Sequence, residues 1–215
     1  MKPYYRDETI TIYHGDCAEI LPTLPVADLL LTDPPYGIGE NNEKNLSRGN
    51  KAKPKDYGKF DWDKEAVSDD LIKLVLGSAR RLIVWGGNYY SHLLNPSACW
   101  LVWDKLNGTN DFADAELAWT NLPQAVRLKK HLWNGMLRKG QEERFHPTQK
   151  PLSVMHWCIM QADKHGENNL IIDPFMGSGT TLRAAKDLKR KAIGIDKEER
   201  YCDITVKRLR QEVLL

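Results

Sequence analysis

Leu170-Ile171-Ile172-Asp173-Pro174-Phe175-Met176-Gly177-Ser178-Gly179-Thr180-Thr181 reads as a strand, a glycine turn and the start of a helix. The apolar run is short, β-branched and closed by Asp-Pro, which predicts a buried strand. Glycines let the backbone turn sharply and come close to a bound group. The following helix, with Ala184, Ala185 and Leu188 on its inner face, opens its free N–H groups at the same corner. The next apolar run, Lys191-Ala192-Ile193-Gly194-Ile195, delivers Asp196, 17 residues after Gly179 and near the offset at which an acid accepts hydrogen bonds from a ribose diol. No lysine follows the glycines, and Leu182 stands where a third glycine of a dinucleotide fingerprint belongs. Diphosphate binding is therefore disfavoured, and adenosine without a diphosphate fits. Taken alone, the glycines are also compatible with tight packing of helix on strand.

The rest of the chain repeats this alternation. Further strands are predicted at 10–13, 27–32, 81–85, 100–103, 116–120 and 192–195, and helices at 68–79, 152–164, 178–188 and 199–214. The pattern is that of an α/β domain with a mostly parallel central sheet flanked by helices, one domain over residues 1–215. With 41% hydrophobic and 28% charged residues, the composition is that of a globular protein able to bury a core.

Lys+Arg outnumber Asp+Glu only by 31 to 29, so any nucleic-acid surface must be local. Two polar stretches, at about 37–60 and 127–145, read as basic loop excursions. The first carries Lys44, Arg48, Lys51, Lys53, Lys55 and Lys59. The second carries Arg127, Lys129, Lys130, His131, Arg138, Lys139 and Arg144 around Trp133. Cys17, Cys99, Cys158 and Cys202 form no C-x-x-C pair, and the scattered histidines have no ligand spacing, so no metal site is expected. The N-terminus lacks a signal-like apolar core and no run is long enough to span a bilayer, so a cytoplasmic location is expected and a membrane partner is not.

A second strand, Ala27-Asp28-Leu29-Leu30-Leu31-Thr32, also ends in Asp-Pro: Asp33-Pro34-Pro35-Tyr36. Consecutive prolines stiffen the loop while keeping their carbonyl acceptors. A carboxylate, a carbonyl and an aromatic face at one rigid corner suit an amino group on a flat heterocycle. The acceptors hold its two N–H bonds and the ring stacks on the tyrosine. Asp-Pro-Pro-Tyr is also an ordinary turn sequence, and by itself it leaves that reading open.

Taken together, Asp33-Pro34-Pro35-Tyr36, His146-Pro147-Thr148-Gln149-Lys150-Pro151 and Asp173 to Thr181, in that order, resemble the beta group of S-adenosylmethionine-dependent DNA amino methyltransferases. The segments around Asn88 and Glu116 are similar to those of compact phage or prophage members. The resemblance implies a Rossmann-like methyltransferase fold, S-adenosyl-L-methionine as cofactor, double-stranded DNA as partner, and a homodimer. It makes Asp33, Pro34, Pro35 and Tyr36 the catalytic pocket for a flipped base. Asp16, Cys17, Asp33, His146, Thr148, Gln149, Lys150, Asp173, Phe175, Gly177, Ser178, Gly179, Thr180 and Asp196 become cofactor residues. Asp at the first motif position leans to adenine N6, with cytosine N4 as the alternative and RNA or protein amino groups behind it. A catalytically idle DNA-binding relative of the same fold is the rival from another class.

Overall fold

Leu29, Leu30 and Leu31 are fully buried, so the strand they form has no solvent face. Such continuous burial belongs to a parallel strand covered on both sides, and each leucine contributes about 2 kcal/mol. The computed structural model describes residues 2–37, 67–107, 113–134, 137–138, 145, 149–166 and 168–211. The strands are β1 (Tyr5–Arg6), β2 (Ile10–His14), β3 (Ala27–Thr32), β4 (Ala79–Trp85), β5 (Trp100–Asp104), β6 (Ala115–Thr120), β7 (Arg127–Lys130), β8 (Trp133–Asn134), β9 (Leu137–Arg138), β10 (Leu170–Asp173) and β11 (Lys191–Asp196). The helices are α1 (Cys17–Ile20), α2 (Asp69–Leu76), α3 (Leu152–Asp163), α4 (Thr180–Asp187) and α5 (Glu199–Arg210).

The main sheet runs β1-β2-β11-β10-β3-β4-β6-β5-β7. From β2 to β4 the five central strands are parallel, whereas β6 pairs antiparallel with both β4 and β5. Alternate residues feed two cores. Leu29, Leu31, Ile83 and Ile171 pack with Val154 and Ile159 of α3 and Leu182, Ala184 and Ala185 of α4. Leu30, Val84, Ile172 and Ile193 pack with Ile20 of α1 and Val75 of α2 on the other face. Among the described residues no helix is long and apolar enough to cross a membrane.

The chain leaves β3 through α2 on one face and β10 through α4 on the other, although β3 and β10 are neighbours. Divergent connections at adjacent parallel strands open a crevice at their carboxyl ends, where open α/β sheets bind ligands. Asp173 and Asp196 close β10 and β11 on this edge, and Asp33 and Gly15 directly follow β3 and β2 there.

Several boundaries differ from the sequence expectations. α2 stops at Leu76, not 79, because the chain turns at Gly77 and β4 already begins at Ala79. α4 begins at Thr180, not 178, because Gly179 caps it in a left-handed conformation (φ 74). The stretch expected to be a loop from 127 begins with β7, parallel to β5 and at the sheet edge. Its cations hide the strand pattern, and charge on an edge strand discourages pairing with another chain. The short helix α1 was not anticipated; Asp16 caps it by accepting from the Ala18 N–H at 2.8 Å. Residues 38–60 of the first predicted excursion, and 135–136 and 139–144 of the second, lie outside the described residues.

Candidate active site

The strand ends surround a cavity of about 500 Å³, within the range of small-ligand sites. Of the residues singled out from sequence, Cys17, Asp33, Pro35, Gln149, Lys150, Asp173, Phe175, Gly177, Ser178, Thr180 and Asp196 line it. Val67, Leu71, Met155, Met176 and Tyr201 add apolar wall to it, and Glu198 and Lys197 add one charge of each sign. His146 and Thr148 lie outside the described residues.

Four expected residues sit elsewhere. The Asp16 carboxylate caps α1 and pairs with Lys197 at 2.8 Å, which holds its pKa below the usual value. Pro34 is buried and does not line the cavity. Gly179 faces α5: an added Cβ would collide with Thr205, so this glycine serves close packing as well as its left-handed turn. Tyr36 reaches the site through its hydroxyl, which donates to Asp33 Oδ1, and its ring stacks on Tyr89 at 4.7 Å between centroids. Gly86 (φ 67) makes room for that ring, since any Cβ there would fall on Tyr36.

Asp33 stands at the centre of a chain of alternating charge. Lys150 Nζ lies 2.7 Å from Asp33 Oδ2 and 2.8 Å from Glu116 Oε2, and Lys105 pairs with Glu116 Oε1. The two ammonium groups also lie 5.3 Å from indole rings, Lys150 over Trp85 and Lys105 over Trp103, favourable positions for cations. Burial raises the pKa of Asp33, against the pull of Lys150. Burial opposes ionisation of Glu116 too, but there Lys150 and Lys105 together hold the pKa down at about 2. Desolvation works against the charge on Lys150, and its two carboxylates outweigh it and raise its pKa.

The glycine turn is fastened separately. Thr32 and Thr181 hydroxyls donate to the two oxygens of Asp173 at 2.7 and 2.6 Å, and the Phe175 N–H adds a third bond at 3.2 Å. Burial pushes the Asp173 pKa up to about 6. Asp196 accepts from the backbone N–H groups of Gly177 (2.9 Å) and Glu198 (2.8 Å), and burial pushes its pKa up to about 7 despite those bonds. Gln149 Oε1 accepts from the Ser178 hydroxyl at 3.1 Å and from the Phe145 N–H at 2.9 Å. Arg208 donates to the Ser178 carbonyl at 2.5 Å from behind.

Four acids, Asp33, Asp173, Asp196 and Glu198, line the cavity against two lysines, and those lysines already pair with Asp33, Glu116 and Asp16. This donor set suits a cationic ligand with hydroxyl groups and offers poor terms to a diphosphate.

A profile of the N6/N4 methyltransferase family, described as DNA methylase, matches residues 113–207. The type II methyltransferase M2.LlaDCHI of Lactococcus lactis subsp. cremoris is 30% identical over 257 residues, spanning 97% of this chain and 92% of the relative. The chain belongs to the beta-group DNA amino methyltransferases. M.HinfI of Haemophilus influenzae, another type II methyltransferase, is 28% identical over 98% of this chain and 71% of its own. The fold agrees. The crystal structure of M1.HpyAVI with SAM superposes with a TM-score of 0.58 at 24% identity, covering 94% of this chain and all of the other. The cytosine-N4-specific PvuII DNA methyltransferase gives 0.62 at 17% identity, covering 100% and 91%.

As a member of this family, the methyltransferase acts on DNA with S-adenosylmethionine as its methyl donor. The cavity's carboxylates, Asp33, Asp173, Asp196 and Glu198, suit a donor that carries a sulfonium, an ammonium and a ribose diol. Glu116, Lys105, Tyr89 and Tyr90 were not singled out from sequence as site residues. Their signal was a lone carboxylate in the apolar strand Ala115-Glu116-Leu117-Ala118-Trp119 and paired tyrosines just beyond the end of β4.

Proposed function

We propose that this methyltransferase modifies adenine at N6 in double-stranded DNA, on a base rotated out of the duplex. The observation that carries the reading is Asp33. Its carboxylate, fixed by Tyr36 and Lys150, opens on the same cavity as Asp196 and the glycine turn. An amino acceptor thus lies beside the place that fits the cofactor.

Bound S-adenosylmethionine supplies a methyl carbon activated by the positive sulfur. The chain's own part is positioning and charge. Each Asp33 oxygen has accepting capacity beyond the bond it makes in the free protein, enough to take an N–H of the target amino group. That bond aims the nitrogen lone pair toward the cavity and stabilises the positive charge that develops on it during direct displacement. No covalent link between enzyme and base is needed. Tyr36, backed by Tyr89, offers an aromatic platform of the kind that holds unstacked bases. Asp196 accepts from the ribose, Phe175, Gly177, Ser178 and Thr180 flank the amino acid and nucleoside, and Gln149 closes over them from the other side. Arg127, Lys129 and Lys130 on the edge strand supply phosphate contacts, and binding should weaken with salt accordingly.

Asp33 at the first motif position supports adenine over cytosine. Labelled methyl transfer to unmethylated duplex DNA, followed by digestion to nucleosides and mass spectrometry, tests this. N6-methyladenine is the expected product. N4-methylcytosine would overturn the base assignment and keep the mechanism, whereas label on RNA or protein alone would overturn both.

A further inference from the structure

Glu116 sits part-buried in β6 and does not line the cavity, yet it shares Lys150 with Asp33. A lysine with three donors here meets two carboxylates and an indole face, so its position is set by a balance between competing partners. We propose that Glu116 is a positioning residue that acts on Asp33 through Lys150, drawing the ammonium partly away so that Asp33 is neutralised in part and stays available to the target amino group.

Geometry supports this at each link. One nitrogen, Lys150 Nζ, lies within ion-pair distance of an oxygen of Asp33 and an oxygen of Glu116, and Lys105, the residue after β5, pairs with the other oxygen of Glu116. Other groups facing Asp33 are the Tyr36 hydroxyl on its own loop and Asp173 on the adjacent strand β10. Tyr90 engages the Pro35 carbonyl next to it. Of these groups, Lys150 is the cation, and Glu116 decides how much of it Asp33 receives. Removing the charge of Glu116 leaves Lys150 to Asp33 alone, which favours the ionised Asp33. Removing Lys105 leaves Glu116 free to pull harder on Lys150, which disfavours it. The two substitutions therefore shift Asp33 in opposite directions, a result that general loosening of the site does not produce.

The inference rests on the role given to Asp33 above, so two readouts are needed. The first follows the Asp33 carboxyl carbon by NMR across pH in carboxyl-labelled protein, with the resonance assigned by its loss in Asp33→Asn. The second is the pH profile of single-turnover methyl transfer. Glu116→Gln should lower the Asp33 midpoint by about one pH unit, Lys105→Gln should raise it, and Glu116→Asp should restore it toward wild type. The acid limb of the transfer rate should follow the same order. Lys105→Gln decides the matter if Glu116→Gln does not fold. Coincident Asp33 titrations, or shifts of the same sign in Glu116→Gln and Lys105→Gln, overturn the inference. Titrations that move as expected while the rate profile stays still uphold the link from Glu116 to Asp33 and overturn instead the role of Asp33 in transfer.

Discussion

β3 and β10 lie side by side, run in the same direction and end in the same dipeptide, yet their carboxylates do different work. Asp33 is held by a tyrosine and a lysine, groups that leave part of it facing the cavity. Asp173 is only 3% exposed and is held by two threonine hydroxyls and a backbone N–H, which tie β3, β10 and α4 together. Neutral donors on a buried acid make a fastening, and a shared cation on a half-buried acid makes an adjustable acceptor. The contrast shows that Asp-Pro at a strand end does not define a role. The partners that the fold brings to it do.

Substitution should separate the two acids. In the proposed mechanism Asp33→Ala removes the acceptor for the target amino group, and methyl transfer should fall about 100- to 1000-fold while the melting temperature stays near that of wild type. A rate equal to wild type would break the comparison outright. Asp173→Ala should do the reverse. It strands the Thr32 and Thr181 hydroxyls and lowers stability by about 3 kcal/mol at pH 5, a melting shift of about 6–12 °C. Because the folded-state pKa of Asp173 is raised to about 6, its contribution is fully present below the unfolded value near 4 and declines as pH rises toward 6. The deficit of Asp173→Ala should therefore be smaller at pH 8 than at pH 5. Thermal melts at the two pH values check the sign, and a deficit that grows with pH would contradict it.

Much of this arrangement is legible in the chain. The strands at 10–13, 27–32, 81–85, 100–103, 116–120, 170–172 and 192–195 are all present, because buried strands write themselves as short apolar runs between turn residues. β7 escaped notice because Arg127, Lys129 and Lys130 mask its pattern, and α1 is a single turn too short to show a period. Asp33, Gln149, Lys150, Asp173, Phe175 and Asp196 meet around one cavity as expected. What could not be read is the partnership of Asp33 with Lys150, Glu116 and Lys105. Those residues come from the ends of different strands and a segment before α3, and no spacing in sequence records that they converge. Gly179 was legible as a turn, but its contact with Thr205 on α5 was not.

A third carboxylate sharpens the contrast through pH. Asp196 ends the next strand, and burial places its pKa at about 7, so below neutrality the free protein holds it protonated. In the proposed site a ribose diol donates to the ionised form, and cofactor affinity should therefore fall as pH drops below 7, by up to about tenfold per unit. Titration calorimetry between pH 6 and 8 measures this, and Asp196→Asn should flatten the dependence. An affinity that is flat in the wild type would remove Asp196 from the cofactor site.

The smallest expected effect bears on whether the two Asp-Pro ends act independently. Thr32 precedes Asp33 in sequence and donates to Asp173 across the sheet, so it is the covalent neighbour of one acid and the hydrogen-bond partner of the other. Thr32→Val keeps the β-branched shape that suits the strand and removes only the hydroxyl. Asp173 retains Thr181 and the Phe175 N–H, so stability should fall by about 1 kcal/mol and methyl transfer should stay within about threefold of wild type. If transfer instead drops tenfold or more with cofactor affinity unchanged, the fastening at Asp173 reaches the acceptor at Asp33 through this one hydroxyl, and the two strand ends work as a single device.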